Sequence, residues 1–357
     1  MIDLFKKFLL VFCFYIALSI NSFADELDDL YKDGLKYLGS NGVALDTTRG
    51  MSYLQKAAMK GHIPSLVKLA NIYNLGSNGI RADNIVAFKF FQKAAELGDA
   101  YACYNLGVCY DKALGVKQDL EKAFDYYQKG AEGGIAEAYY NLASCYFAGV
   151  GVEKDESEAL SYMEIAAEMG VGQAQYSIAQ LYQKGIGGVE KNDAKAAYWY
   201  RKVAEQGSPQ AQLALGEIYL TGNGLKQNSK TASYWFRKAA DQGNAQAWLG
   251  MLYGSGVGVS KNMKMAIFYY ENSIEGKNDL AQNNLAVCYA TGVGVEIDYK
   301  YAYNLFKKSA DQNNPYAMRN LGTCLYFGYG ISQNKAKALE YFKKAKAKGI
   351  DVPELEM

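Results

Sequence analysis

Apolar residues recur along this chain in one fixed pattern: alanine, then leucine or isoleucine, then glycine or alanine, then tyrosine. One copy consists of Ala102, Leu106, Gly107 and Tyr110. Apolar residues four and eight positions apart lie on one face of an α-helix, so each copy predicts an amphipathic helix. The leading alanines follow one another at intervals of 36, 36, 37, 34, 36 and 36 residues: Ala102, Ala138, Ala174, Ala211, Ala245, Ala281 and Ala317.

A second column of alanines runs in step with the first, and a large apolar residue follows each of them by four positions. Ala123 with Tyr127 and Ala232 with Phe236 are examples. Four residues before each alanine stands an Asp or Asn, the types preferred as helix N-caps. The predicted caps are Asp83, Asp119, Asp155, Asn192, Asn228, Asn262, Asp298 and Asn334. Each repeat therefore predicts two helices.

Glycine and proline mark the other helix boundaries. Most of the second helices are predicted to end at a glycine in the left-handed conformation, as at Gly98, Gly170, Gly207 and Gly243. Pro64, Pro209 and Pro315 fall where first helices are predicted to start, which proline tolerates. Paired glycines such as Gly149 and Gly151 are predicted to be loop turns with positive φ rather than a phosphate cradle.

The first 24 residues have the plan of a secretory signal peptide. Lys6 and Lys7 precede an apolar run over residues 8–20, and Ser22 and Ala24 occupy the small-residue positions of a cleavage site. The alternative is an uncleaved membrane anchor, although a spanning helix needs roughly 20 apolar residues. We expect cleavage after Ala24 and an exported protein, periplasmic or secreted, without a later membrane span.

The remaining chain divides by the same repeat. Residues 25–61 are predicted to form a degenerate N-terminal capping repeat, 62–349 eight full repeats, and 350–357 a C-terminal tail. Stacked helix pairs of this length predict an all-α, right-handed superhelical solenoid of about nine helix-turn-helix repeats.

The repeat resembles the Sel-one-like repeat family, a relative of tetratricopeptide repeats. The resemblance lies in Ala-x3-Leu-Gly-x2-Tyr, then Gly-x-Gly-Val, the Asp or Asn cap, and an ending such as Lys93-Ala94-Ala95-Glu96-Leu97-Gly98. It covers about residues 27–349. Members typically assemble other proteins, and exported bacterial members are often tied to host contact or envelope processes, so the resemblance implies a non-catalytic adaptor.

One exported branch of that family is rich in cysteine and has been linked to β-lactam binding or hydrolysis. Its repeats pair two cysteines eight residues apart, and here Cys103 matches the second position while Ala95 fills the first. Ser65 and Lys68 match the Ser-x-x-Lys motif of penicillin-recognising enzymes, as do Ser332 and Lys335, but Ser-Asp-Asn and Lys-Thr-Gly are missing from the sequence. We interpret both matches as chance and keep this activity as the alternative.

Composition argues against most other functional classes, including nucleic-acid-binding proteins, metalloproteins and enzymes with a histidine-based triad. The net charge is +1, which gives no support to nucleic-acid binding. A single histidine, His62, leaves little room for a metal site or a catalytic triad, and we expect no cofactor. Four cysteines share one apolar repeat position, Cys109, Cys145, Cys288 and Cys324. Neighbouring repeats would hold them about 8–10 Å apart, so buried thiols are favoured over disulfides.

Some of the 31 tyrosines are candidates for recognition. Tyr104, Tyr140 and Tyr176 lie two residues before the leucine column, away from the main core face. By analogy with tetratricopeptide repeats, that side of the first helix lines a concave surface. The sequence predicts protein or peptide binding there, by a monomer, through Tyr101, Tyr104, Tyr140, Ser144, Tyr176, Gln180 and Glu217. The alternatives are packing between repeats and binding of envelope glycan.

Overall fold

The computed structural model describes residues 24–39, 45–241, 246–274 and 276–353, and over these ranges the chain forms helices and turns without strands. Residues 1–23 of the predicted signal peptide, Gly243, Ala245 and the last four residues lie outside the described ranges. Helix α1 covers residues 24–37. It is followed by α2 (Thr47–Met59), α3 (Ile63–Leu75), α4 (Asn84–Glu96), α5 (Ala100–Lys112), α6 (Leu120–Glu132), α7 (Ala136–Ala148), α8 (Glu156–Glu168) and α9 (Gly172–Lys184).

The second half continues the same alternation. Its helices are α10 (Asp193–Glu205), α11 (Pro209–Thr221), α12 (Ser229–Ala240), α13 (Gln246–Ser255), α14 (Met263–Ile274), α15 (Asp279–Thr291), α16 (Tyr299–Asp311), α17 (Pro315–Phe327) and α18 (Lys335–Ala347). Odd-numbered helices are the first helices of the pairs and even-numbered helices are the second. The chain divides within α9 into two compact units, one ending at Ile178 and one starting at Ala179.

The predicted N-caps are confirmed at all eight positions. Each of these Asp or Asn side chains accepts a hydrogen bond from a backbone N–H two or three residues further on, as Asp119 does from Lys122 and Asn228 does from Thr231. These bonds satisfy N–H groups that the first turn of a helix leaves without a partner. Pro209 and Pro315 are the first residues of their helices, and Pro64 is the second residue of α3.

Both alanine columns lie in the core. Ala102, Ala138 and Ala211 are fully buried, as are Leu106 and Leu215 one turn later on the same faces. From α2 to α8 and from α10 to α18, consecutive helices pack against each other. Since neither helix of a pair can cover its own apolar face, the core of each unit is a series of contacts between consecutive helices.

The glycine that follows leucine in the repeat motif leaves room for an aromatic ring from the second helix. A methyl group added to Gly107 would stand 2.5 Å from the ring of Tyr127, which belongs to the second helix of the same pair. Gly216 and Phe236 are related in the same way. The close approach lets the second-column ring fill the space between the two helices.

The second glycine of each loop has a different role. Gly151 has a φ of 73°, and a side chain there would overlap the backbone of Leu120, the first residue of α6. Gly258 meets Ser229 at the start of α12 in the same way. In these repeats the loop is therefore seated on the first turn of the second helix in the preceding repeat. Positive φ and this close approach together require glycine.

Gly151→Ala should destabilise the protein more than Gly134→Ala. Both glycines have positive φ, but nothing lies within 4 Å of an added Cβ at Gly134. Adopting this conformation costs an alanine about 1 kcal/mol, and displacing the Leu120 backbone should bring the cost at Gly151 to about 3 kcal/mol. Urea unfolding followed by circular dichroism measures both. Equal losses for the two variants would contradict the seating of the loop.

Candidate partner-binding surface

A cavity of about 320 Å³ opens between α5, α6 and α7 in the first unit. Its inner wall is apolar, and its rim carries hydroxyl, amide and charged groups. Two of the residues predicted for recognition, Tyr140 and Ser144, lie in its lining one turn apart on α7. The complete lining is Asp111, Lys112, Leu120, Ala123, Tyr127, Tyr140, Asn141, Ser144, Cys145, Ala148 and Val150.

The polar groups at this cavity are held by short-range contacts. The buried Tyr127 hydroxyl donates to Asp111 Oδ2 over 3.3 Å, and Lys112 Nζ lies 3.0 Å from the same oxygen. Ser144 Oγ donates to the Tyr140 carbonyl oxygen, 3.0 Å away, while its side chain stays exposed. Burial, together with the Asp111 carboxylate, holds the pKa of Tyr127 well above its usual value. The Tyr127 hydroxyl therefore stays a hydrogen-bond donor at any physiological pH.

Two further predicted residues, Tyr101 and Tyr104, are linked to the cavity through aromatic contacts. Their rings lie 6.3 Å apart between centroids, and Tyr104 lies 6.3 Å from Tyr127, which lines the cavity. Tyr104 is half-buried, and burial raises the pKa of its hydroxyl. Tyr101 is 39% exposed, and its hydroxyl is 3.5 Å from Asn71 Oδ1 in the preceding repeat. Tyr104 therefore contributes to helix packing, whereas Tyr101 offers more of its surface to a partner, and Tyr140 is partly exposed at the cavity.

The other predicted residues are not brought to this cavity. Tyr176 lies on α9 in the first unit and is partly buried. Gln180 and Glu217 belong to the second unit, on α9 and α11, and both are partly exposed. Burial raises the pKa of the Glu217 carboxyl.

Tyr127, Asp111 and Asn141 are cavity residues that the sequence analysis missed. Tyr127 belongs to the second alanine column and was assigned to the core alone. Asp111 follows the tyrosine of the repeat motif, at a position where other repeats have Asn74, Phe147, Gln183 or Leu220. A polar residue there gives no signal specific to this cavity, because Gln183 accepts a hydrogen bond from Tyr200 just as Asp111 accepts one from Tyr127.

Ser65, one of the Ser-x-x-Lys serines, lies in a hydrogen-bonded chain with the single histidine. Its Oγ is 2.8 Å from His62 Nδ1, and His62 Nε2 is 3.1 Å from Asp28 Oδ1. Ser, His and Asp in this order invite comparison with a catalytic triad. However, Ser65 has no exposed surface, so its oxygen cannot reach a substrate. The chain of bonds instead joins α1 to the start of α3.

The cysteines occupy the core, as predicted. The five cysteines of the described chain are buried and unpaired, and burial raises the pKa of Cys109, Cys145 and Cys324 to about 11. Within the described ranges, His, Cys, Asp and Glu residues do not gather in any group of three or more able to hold a metal ion.

The Sel1 repeat model matches the chain nine times. The matched segments are residues 29–62, 63–99, 100–135, 136–171, 172–208, 209–244, 244–278, 279–314 and 315–350. The chain belongs to the Sel1 repeat family. This confirms the predicted resemblance and the helical solenoid class, and it assigns a repeat to residues 29–62 as well.

Solved structures agree with this assignment. A protective antigen present in uropathogenic Escherichia coli strains, which displays an SLR fold, is 33% identical, with a TM-score of 0.84 over 94% of this chain and 72% of that one. A Sel1 repeat protein from Oxalobacter formigenes is 27% identical, with a TM-score of 0.60 over 89% of this chain and 90% of that one. Among curated proteins, none matches the chain.

The family gives this Sel1 repeat chain the architecture of a scaffold for protein interactions. Among the described residues, no helix is both long enough and apolar enough to cross a bilayer.

The buried thiols should react slowly in the folded protein. With a pKa of about 11, Cys109, Cys145 and Cys324 hold only about one thiolate in a thousand at a pH near 8. We expect labelling by a chromogenic disulfide to be at least tenfold slower in buffer than in urea. Labelling of all five thiols at the urea rate without denaturant would contradict their burial.

The same shift gives stability a pH dependence. The folded state binds these protons more tightly than the unfolded state, so the stabilisation is complete below the unfolded pKa of about 9 and is lost as the pH rises through about 11. The urea midpoint should fall over this window. It should fall less in the Cys109→Ala, Cys145→Ala, Cys324→Ala triple variant, which serves as the matched control.

Proposed function

We propose that this Sel1 repeat chain is an exported, non-catalytic adaptor that binds a protein or peptide partner on the first helices of the repeats near α5 and α7. The binding surface consists of the cavity and the tyrosines beside it. The observation that carries the proposal is the presence of Tyr140 and Ser144 in the lining of one cavity, with the exposed Tyr101 connected to it through Tyr104 and Tyr127.

The chemistry of this surface suits a protruding side chain of a partner. A volume of about 320 Å³ is at the lower end of ligand-binding cavities and accommodates one large side chain. The apolar wall from Leu120, Ala123 and Val150 would contact its body, while Asn141 and Ser144 would meet polar groups at the rim. Tyrosine is enriched among the residues that dominate binding energies, because it buries a large area with few rotatable bonds.

Two observations support export of this chain to a location that host proteins can reach. The first 24 residues have the signal-peptide pattern. The similar Escherichia coli protein is described as a protective antigen, and an antigen that protects must be accessible to the immune system of a host. We extend this to the present chain and place its partner among envelope or host proteins.

Replacing two tyrosines should abolish partner capture without unfolding the protein. We expect Tyr101→Ala combined with Tyr140→Ala to lower the amount of captured partner at least tenfold, because both rings contribute exposed area at the proposed surface. The control is Tyr316→Ala combined with Tyr299→Ala. Tyr316 has the same repeat position as Tyr101 and is 51% exposed, but it lies on α17.

The measurement is affinity capture from envelope and host-secretion proteins, followed by titration of the captured protein against each variant. Circular dichroism melting verifies the fold of both pairs. Equal loss in the control pair, or partners that bind all three proteins equally, would overturn the proposed surface.

The signal-peptide interpretation is tested by expression in a bacterial host. We expect the purified protein to begin at Asp25, measured by intact mass and N-terminal sequencing, and to fractionate with periplasmic or secreted proteins. Ala24→Tyr should block processing, because the cleavage site needs a small residue at this position. A cytoplasmic protein that retains residues 1–24 would exclude export.

A further inference from the structure

Three consecutive second helices in the second unit present an aromatic side chain to solvent. The residues are Tyr198 on α10, Tyr234 on α12 and Phe268 on α14, and they are 51%, 52% and 52% exposed. Each is the sixth residue of its helix and follows the second-column alanine by two positions. We call these three residues the outer aromatic row.

The outer aromatic row is not a requirement of the repeat. In the other second helices the same position is also exposed, and there it is always polar: Ser52, Lys89, Asp125, Ser161, Asn304 and Glu340. Packing therefore does not demand an aromatic residue. Apolar rings at a solvent-facing position in three repeats in succession indicate a surface that something covers.

The fold places the three rings in one row. Gly224 is seated on Asp193 at the start of α10, Gly258 on Ser229 at the start of α12, and Gly294 on Met263 at the start of α14. Since each repeat is added to the preceding one through the same contact, equivalent residues follow one another at regular steps.

The surroundings of the row are strongly cationic. Within four residues of the three rings the chain has seven cationic side chains and one carboxylate, Glu271. The cations are three on α10, three on α12 and one on α14: Lys195, Arg201, Lys202, Lys230, Arg237, Lys238 and Lys264. By contrast, the same window around Ser161 on α8 contains Glu158 and Glu164 and no cation. A partner that covers the row must therefore be anionic as well as apolar.

Two of the three rings already have a lysine over one face, which disfavours partners that would stack on that face. Lys202 Nζ lies 5.1 Å from the centroid of the Tyr198 ring, and Lys238 Nζ lies 5.6 Å from that of Tyr234. Trp199 and Trp235 meet the same two rings edge to face. A nucleic acid or a glycan would stack on a free ring face, whereas a bilayer interface takes up ring edges and tips without such geometry.

We propose that the outer aromatic row is a docking surface for an anionic lipid bilayer. The rings of Tyr198, Tyr234 and Phe268 would enter the headgroup region, and the lysines beside them would meet lipid phosphates. Tyrosine and tryptophan favour the membrane interface, and cationic residues near an anionic surface strengthen the attraction. The chain would lie on the membrane through its second helices and would not cross it.

The test is cosedimentation of the purified protein with vesicles of phosphatidylcholine alone and of phosphatidylcholine mixed with phosphatidylglycerol. Intact mass must first show that parent and variants have the same N-terminus, because the apolar run over residues 8–20 would bind lipid by itself. We expect binding to the anionic vesicles alone, weakening as salt is raised. Tyr198→Ser, Tyr234→Ser and Phe268→Ser together should weaken it at least tenfold.

The matched control removes three exposed aromatic residues elsewhere in the same unit: Tyr299→Ser, Tyr316→Ser and Phe327→Ser. It should bind like the parent. Tryptophan fluorescence gives a second readout, since Trp199 and Trp235 are two of the three tryptophans in the chain and lie beside the row. Brominated phosphatidylcholine in the anionic vesicles should quench the parent and the control but not the row variant.

Three results would overturn the proposal. They are failure of the parent to bind anionic vesicles, equal binding by the row variant, and equal loss in the control. Binding to single-stranded DNA or to an acidic protein that depends on the row, without binding to vesicles, would also reject the lipid and assign the surface to that partner. Because these variants leave Tyr101 and Tyr140 intact, failure here is separable from failure of partner capture.

Discussion

Close approach between the helices of successive repeats is the constraint on which the rest of this structure depends. A helix pair of this length has two apolar faces and buries them only against the next pair. The approach between repeats is close because the contacting position is small: Gly151 is seated on the Leu120 backbone of the preceding repeat. Within a pair, Gly107 lies under the Tyr127 ring in the same way. Repeating the same contact fixes the position of every later helix within its unit, so surface residues at equivalent positions become aligned.

Much of the fold could be predicted from the sequence because its determinants are local. A capping residue such as Asp119 acts on N–H groups three residues away, and a proline such as Pro209 acts on its own turn, so both can be read without knowing the fold. The cysteine prediction held for a related reason. A position that is leucine or isoleucine in other repeats has to be apolar in all of them, and Cys109 and Cys324 occupy such a position.

The site could be predicted only in part, because it depends on contacts between helices. Helical periodicity identified Tyr140 and Ser144 as neighbours on one face, and they do line one cavity. It could not show that Tyr127, a core residue by its position in the repeat, would have its ring beside Tyr104 and its hydroxyl on Asp111. The same periodicity treated Tyr104 and Tyr101 as equivalent, although the first is half-buried and the second is not.

In a repeat protein, residues that depart from the common choice at a repeat position help to distinguish functional from structural residues. A residue that recurs in every repeat is explained by packing, and the tyrosines of the leucine-glycine motif need no other account. A residue that departs from the common choice at an exposed position has no such explanation. Tyr198, Tyr234 and Phe268 form such a departure, since six other second helices carry polar residues there. These three residues lie on second helices, whereas Tyr140 and Ser144 lie on a first helix, so a chain of one repeated design can offer separate surfaces to two partners.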